Sequence, residues 1–268
     1  MSNHHPIYQR LLSLKNRVGH CLCVGLDPDI SKLPAGYTSD VSGMTHFLKD
    51  IVDATADDCI AFKPNISFFE AYGIDGLKSL EAIIKHIDSH VPVILDAKRG
   101  DIGNTSKMQA KFLFDYFNAD ASTLHPYMGS DSLSPFFDYQ DKYHFVLALT
   151  SNPSATEFET LALANHAPMY EAVLSTLAAW HKQYHNIGAV VGATKEQMAS
   201  CRAIDDTLVY LIPGVGAQGG TYSHALTNGK NKDDLALINA SRHIIYAADH
   251  KSEIKTAALN SIKEIISQ

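Results

Sequence analysis

The chain has 268 residues, 46% hydrophobic and 19% charged, which allows a sizeable core in one large domain or two ordinary ones. A formal net charge of −7, with no Lys/Arg run to overrule it, argues against a nucleic-acid surface and leaves a small molecule as the expected partner. Cys21, Cys23, Cys59 and Cys201 include no CxxC and sit mostly in apolar runs, so buried reduced thiols are expected rather than disulfides or a metal site.

The opening MSNHHPIYQRLLSLKNRVGH lacks the apolar core of a signal peptide. No later run approaches the ~18 apolar residues of a membrane span, so a soluble, cytoplasmic protein without membrane contact is expected. Residues 6 to 17 read as a flanking helix, and His4 and His5 as a solvated terminus. The 14 histidines form no HExxH and no cluster at ligand spacing, so no metal is expected and most of them read as surface residues.

Short apolar runs bounded by Gly, Pro, Asp or Asn then recur: CLCVGL (21 to 26), CIAF (59 to 62), VPVIL (91 to 95), ASTL (121 to 124), HFVLAL (144 to 149), IGAVVG (187 to 192), LVYLI (208 to 212) and LALINA (235 to 240). Between most of them apolar residues return every three or four positions, as in VSGMTHFLKDIVDATA, IDGLKSLEAIIKHIDSH, SKMQAKFLFDYFNA and PMYEAVLSTLAAWHKQY, which predicts helices. Strand and helix in alternation predict a parallel sheet covered by helices. Eight such units in a chain of this length predict an α/β fold: a single-domain (β/α)8 TIM barrel over residues 1–268, with a last flanking helix at 251 to 267. No GxGxxG opens a helix after the first strand, which disfavours a doubly wound sheet. No Gly/Ser linker divides the chain.

In such barrels the site lies at the C-terminal ends of the strands. There strand 1 ends in Asp27 (GLDPD), strand 2 in Lys63 (AFKPN), and strand 3 in Asp96 and Lys98 (LDAKRGD). Side chains alternate along a strand, so Asp96 and Lys98 share a face and Ala97 takes the other. The same parity groups Lys63 with Ala61, and Asp27 with Gly25, Cys23 and Cys21, placing small residues inside and larger ones toward the helices. Adjacent strands lie about 4.8 Å apart, which lets Lys63 approach Asp96 and Lys98. Asp101 lies beyond the strand, where parity assigns no direction, and Arg99 reads as outward or structural. Opposed charges in a desolvated mouth also occur as plain ion pairs. Their place on adjacent strand ends favours proton transfer and the handling of developing negative charge.

The second signal is PGVGAQGG (213 to 220), directly after strand 7. A Gly-rich loop exposes backbone N–H groups to an anion, making Pro213, Gly216, Gln218 and Gly219 candidate ligand contacts, with Gln218 donating from its amide. SRHIIYA places Arg242 after strand 8, and the loops after strands 7 and 8 form the recurrent phosphate site of barrels. TSNPSATEFE follows strand 5; Ser151 and Asn152 there either cap a turn or read a polar ring.

GLDPD, FKPN, LDAKRGDIGNT, HPYMGSD, TSNPS, VVGAT, PGVGAQGG and ASRHIIYA, in this order, resemble the successive signatures of the orotidine 5′-phosphate decarboxylase family in its longer bacterial branch. Asp29 stands where many relatives carry His. The resemblance runs over most of the chain and implies decarboxylation of orotidine 5′-phosphate to UMP, the last step of de novo pyrimidine synthesis, with no cofactor and no metal. It implies that Lys98 protonates C6 once CO2 has left, that Asp96 lies beside the departing carboxylate, and that Lys63 and Asp101 complete an alternating charge array. It further implies a homodimer in which Asp101 and Thr105 reach the partner's ligand. Asp27 and Lys63 would bind ribose hydroxyls, Ser151 the pyrimidine, and Gln218 and Arg242 the phosphate. A Mg²⁺-dependent sugar-phosphate decarboxylase of the same superfamily shares Asp-x-Lys-x-x-Asp, but a cation at Lys63 would oppose a divalent metal. A non-catalytic nucleotide-phosphate binding barrel is disfavoured by the intact Lys98 and its Asp partners.

Overall fold

The computed structural model describes residues 5–192, 197–215 and 220–268. Each apolar run forms a strand: β1 (Leu22–Leu26), β2 (Ala61–Pro64), β3 (Ile94–Arg99), β4 (Ala121–Leu124), β5 (Tyr143–Leu149), β6 (Ile187–Val191), β7 (Tyr210–Ile212) and β8 (Leu237–Ala240). They pair in parallel in the order β2-β1-β8-β7-β6-β5-β4-β3. The outer members, β2 and β3, meet through the bridges Phe62↔Val93 and Asn65↔Asp96. Phe62 N donates to Pro92 O at 3.0 Å and Ile66 N to Asp96 O at 3.2 Å, so the sheet closes into a barrel.

The helices are α1 (Pro6–Val18), α2 (Val41–Thr55), α3 (Ser67–Glu70), α4 (Gly73–Ile84), α5 (Gly103–Lys111), α6 (Ser130–Phe137), α7 (Met169–Tyr184), α8 (Met198–Ile204), α9 (Tyr222–Gly229), α10 (Arg242–Ile245) and α11 (Ile254–Ser267). Local chemistry sets their ends. Pro6 opens α1, where its missing N–H is no loss, and Gly19 at φ 81° closes it with an N–H to Lys15 O, a left-handed cap that suits glycine. The Asp40 carboxylate caps α2 by accepting Gly43 N at 2.8 Å. The spacing of the buried Met44, Phe47, Leu48, Ile51 and Val52 in α2, and of Ile254, Ala258, Ile262 and Ile265 in α11, turns one stripe of each inward.

Two expectations are corrected. β3 does not stop at Leu95 but carries Asp96, Lys98 and Arg99 within it; backbone pairing needs no apolar side chain when neighbours neutralise the charges. His5 is no solvated residue: it is buried, accepts Ile7 N at 3.2 Å as the cap of α1, and sets Nε2 3.0 Å from Gln140 O. Most of the other described histidines are exposed, as expected, while His144 and His181 are buried, His144 with its ring 5.5 Å from that of Phe114 and 5.6 Å from that of Phe137. All four thiols are free and buried. Among the described residues no helix is long and apolar enough to cross a membrane.

Candidate active site

Asp96 sits at the centre of the charges. Its Oδ2 accepts from Lys63 Nζ at 2.9 Å, and its Oδ1 from Lys98 Nζ at 2.6 Å and from Thr123 Oγ1 at 2.7 Å. The side chains of Lys63 and Asp96 are only 5% and 8% exposed, whereas that of Lys98 is 50% exposed. Two members are thus desolvated anchors and the third is open to a ligand. Burial would raise the Asp96 carboxyl, but the ammonium groups of Lys63 and Lys98 and their hydrogen bonds outweigh it, holding it well below the usual carboxylate range. Burial would likewise lower Lys63, yet the charges of Asp96 and Asp27 push it up. Cys23 lies under the same charges, and burial pushes its thiol up to about 12.

The backbone at Lys98 departs from an ordinary strand. Its φ is 45°, in the left-handed region that costs a non-glycine residue about 1 kcal/mol or more. The β3–β4 register shifts between Leu95 and Arg99. Thr123 holds this turn: its Oγ1 accepts Lys98 N at 3.0 Å while donating to Asp96. Thr123 is 2% exposed, and sequence reasoning passed over it. The available signal was parity, since in ASTL it shares the inward face with Ala121.

A cavity of about 430 Å³ opens over this cluster. Lys63, Asp96, Lys98 and Thr123 form its charged side, Leu147, Val190 and Leu211 an apolar wall, and Thr150, Ser151, Asn152 and Pro213 its rim. A planar ring against the apolar wall would meet hydrogen-bonding groups at its edge and the Lys98 ammonium at the other side. Asp27, half-buried at the end of β1, keeps Oδ1 out of solvent with no hydrogen-bond partner among the described residues. Such an oxygen is available to a ligand hydroxyl.

Other expected contacts stand apart. Asp101 is half-buried, and its carboxylate accepts Ile102 N at 2.7 Å instead of meeting Lys98 within the chain. Thr105 is exposed in the first turn of α5. Arg242 begins α10 and is exposed; it lines a separate groove with Lys32 and Asp249. Gly216, Gln218 and Gly219 lie outside the described residues. Arg99 turns away to Glu70 Oε1 at 2.5 Å. Asp29 caps the short turn Ile30–Lys32 and pairs with Lys32 at 3.1 Å.

The profile of the orotidine 5′-phosphate decarboxylase / HUMPS family matches residues 20–257. The chain belongs to that family. The orotidine 5′-phosphate decarboxylase of Flavobacterium johnsoniae is 47% identical over 231 residues, covering 85% of this chain and 84% of that protein. That of Christiangramia forsetii is 45% identical over 232 residues, 85% of each. The structure of Leishmania donovani OMP decarboxylase superposes with a TM-score of 0.85 at 36% identity, covering 97% of this chain and 98% of that one. Membership at this identity and coverage makes the protein an enzyme, a carboxy-lyase. The family's barrel is the one the alternating strands and helices predict.

Proposed function

We propose that the protein decarboxylates orotidine 5′-phosphate to UMP and CO2 in de novo pyrimidine synthesis, as a cytoplasmic homodimer that uses neither metal nor organic cofactor. The observation that carries this reading is a single carboxylate, Asp96, clamped between a buried ammonium and a cavity-facing one. The pyrimidine sits in the cavity with its C6 carboxylate beside Asp96 and its C6 within reach of Lys98. The C6–carboxylate bond breaks, CO2 leaves, and the electron pair stays on C6 as a localised carbanion. The Lys98 ammonium is already in place as that charge develops. It then gives a proton to C6, forming the C–H bond of UMP, and the amine recovers a proton from water.

The remaining roles are those that the resemblance to the family implies. Asp27, with its unpartnered buried oxygen, and Lys63 bind ribose hydroxyls. Ser151 and Asn152 on the rim meet the pyrimidine. Pro213, Gly216, Gln218, Gly219 and Arg242 surround the phosphate, whose binding far from C6 supplies energy used in the transition state. Asp101 and Thr105 serve the partner's ligand. Ile102 and Met108, both 61% exposed on the same segment, together with Tyr127 at 80%, form apolar surface that a second copy would cover.

Lys63 disfavours the Mg²⁺-dependent rival, because its Nζ already occupies Asp96 Oδ2 at 2.9 Å. The deciding assay is the fall in absorbance as orotidine 5′-phosphate becomes UMP, followed in EDTA. An undiminished rate is expected; strict dependence on added Mg²⁺ would overturn the reading.

A further inference from the structure

Thr150, Ser151 and Asn152 form one edge of the cavity, yet they belong to no strand or helix. They lead into a segment that reaches α7 only at Met169 and exposes Phe158 and Leu161. Something other than regular structure must hold such a rim in place.

The Glu159 side chain does so from one side. Its Oε2 accepts Thr150 N at 2.7 Å and its Oε1 accepts Thr150 Oγ1 at 2.7 Å. Its own backbone is tied at both ends: Glu159 N donates to Ala155 O at 2.8 Å, and Tyr170 N in α7 donates to Glu159 O at 2.8 Å. The carboxylate therefore joins the first turn of α7 to the end of β5, through charge-assisted bonds stronger than neutral ones. From the other side Gly192 packs so closely that a Cβ would lie 2.9 Å from Ser151 N and 3.0 Å from Ser151 Cα. Ser151 is thus set between a carboxylate clamp on its neighbour and a glycine backbone.

The clamp also orders Asn152. Thr150 Oγ1 lies 2.7 Å from Asn152 Oδ1 as well as from Glu159 Oε1, both acceptors for its proton. One hydroxyl proton serves one acceptor, and the carboxylate is the stronger. Thr150 Oγ1 thereby brings the Glu159 carboxylate and Asn152 Oδ1 to one point of the rim.

We propose that Glu159 is a positioning residue for recognition of the base: through Thr150 it fixes the rim, Ser151 and Asn152, that reads the pyrimidine edge. This rests on the proposed reaction only in taking the cavity as the pyrimidine site. The experiment compares dissociation constants of UMP and ribose 5-phosphate, which share ribose and phosphate but not the base, for wild type, Glu159→Ala, Glu159→Gln and Thr150→Val. For Glu159→Ala, UMP affinity is expected to fall about tenfold, the effect of losing hydrogen bonds to a charged group, while ribose 5-phosphate binding stays within about twofold. Glu159→Gln, which keeps an acceptor for Thr150 N, should recover part of the loss. Thr150→Val, which keeps the backbone bond, should show the same selectivity at smaller size and stands in if Glu159→Ala fails to fold. Equal losses for the two ligands, or unchanged UMP affinity in the folded variants, would overturn the proposal. A wild-type protein that binds ribose 5-phosphate and UMP equally would instead count against the cavity as the pyrimidine site.

Discussion

Lys63 Nζ and Asp96 Oδ2 lie 2.9 Å apart with both side chains almost wholly out of water, and they come from the outer members of the strand ladder, β2 and β3. Removing one charge leaves the other buried and short of a partner, which in folded proteins is destabilising by about 3 kcal/mol or more. Lys63→Ala should therefore lower stability by roughly that amount in urea unfolding, with the Asp96 carboxyl rising toward its ordinary range. A loss indistinguishable from that of a surface lysine would show that the pair contributes no net stability.

In the proposed reaction Lys98 carries the chemistry and Thr123 its support. Lys98→Ala should reduce turnover by about a thousandfold or more while UMP still binds. Thr123→Val removes the hydroxyl that bonds both Asp96 Oδ1 and Lys98 N, freeing Lys98 to leave its left-handed conformation. Its kcat should fall about tenfold or more, the sensitivity expected when a reacting group is misplaced, with UMP affinity little changed. Thr123→Ser should restore most of the rate; a valine variant as fast as the serine one would remove the hydroxyl from this role.

His144 gives the barrel an acid limit remote from the site. Burial, aided by the nearby His5, pushes its imidazole from 6.5 down to about 3. The folded pKa is the lower one, so the unfolded chain binds the proton more readily. Stability is complete above pH 6.5 and declines as pH falls from there toward 3. His144→Phe, set among Phe114 and Phe137, should flatten part of that decline while changing stability at pH 7.5 by about 1.5 kcal/mol or less. Parallel pH profiles of unfolding for the two proteins would contradict this.

The barrel was legible because each strand contains a buried apolar run and most of the intervening stretches show one apolar stripe. Parity also brought Lys63, Asp96 and Lys98 together correctly, since it depends only on the strand repeat. It could not foresee the positive φ at Lys98, which arises from contact with a hydroxyl on β4, a residue unremarkable within ASTL. Nor could it see that His5 and His144 are buried, because their partners, Gln140, Phe114 and Phe137, are brought to them by the closed fold. Glu159 was opaque for the same reason: its meaning lies in an irregular segment turning back on Thr150.

The seam between β2 and β3 carries a further consequence. The other neighbouring strands pair as ladders, shifted in register between β3 and β4 and between β5 and β6, whereas here two isolated bridges are crossed by the Lys63–Asp96 contact. The groups that would hold the reacting carbon thus double as the clasp of the cylinder. A fluctuation that parts this seam would scatter the charge array, so catalysis depends on the closure of the cylinder as well as on its side chains.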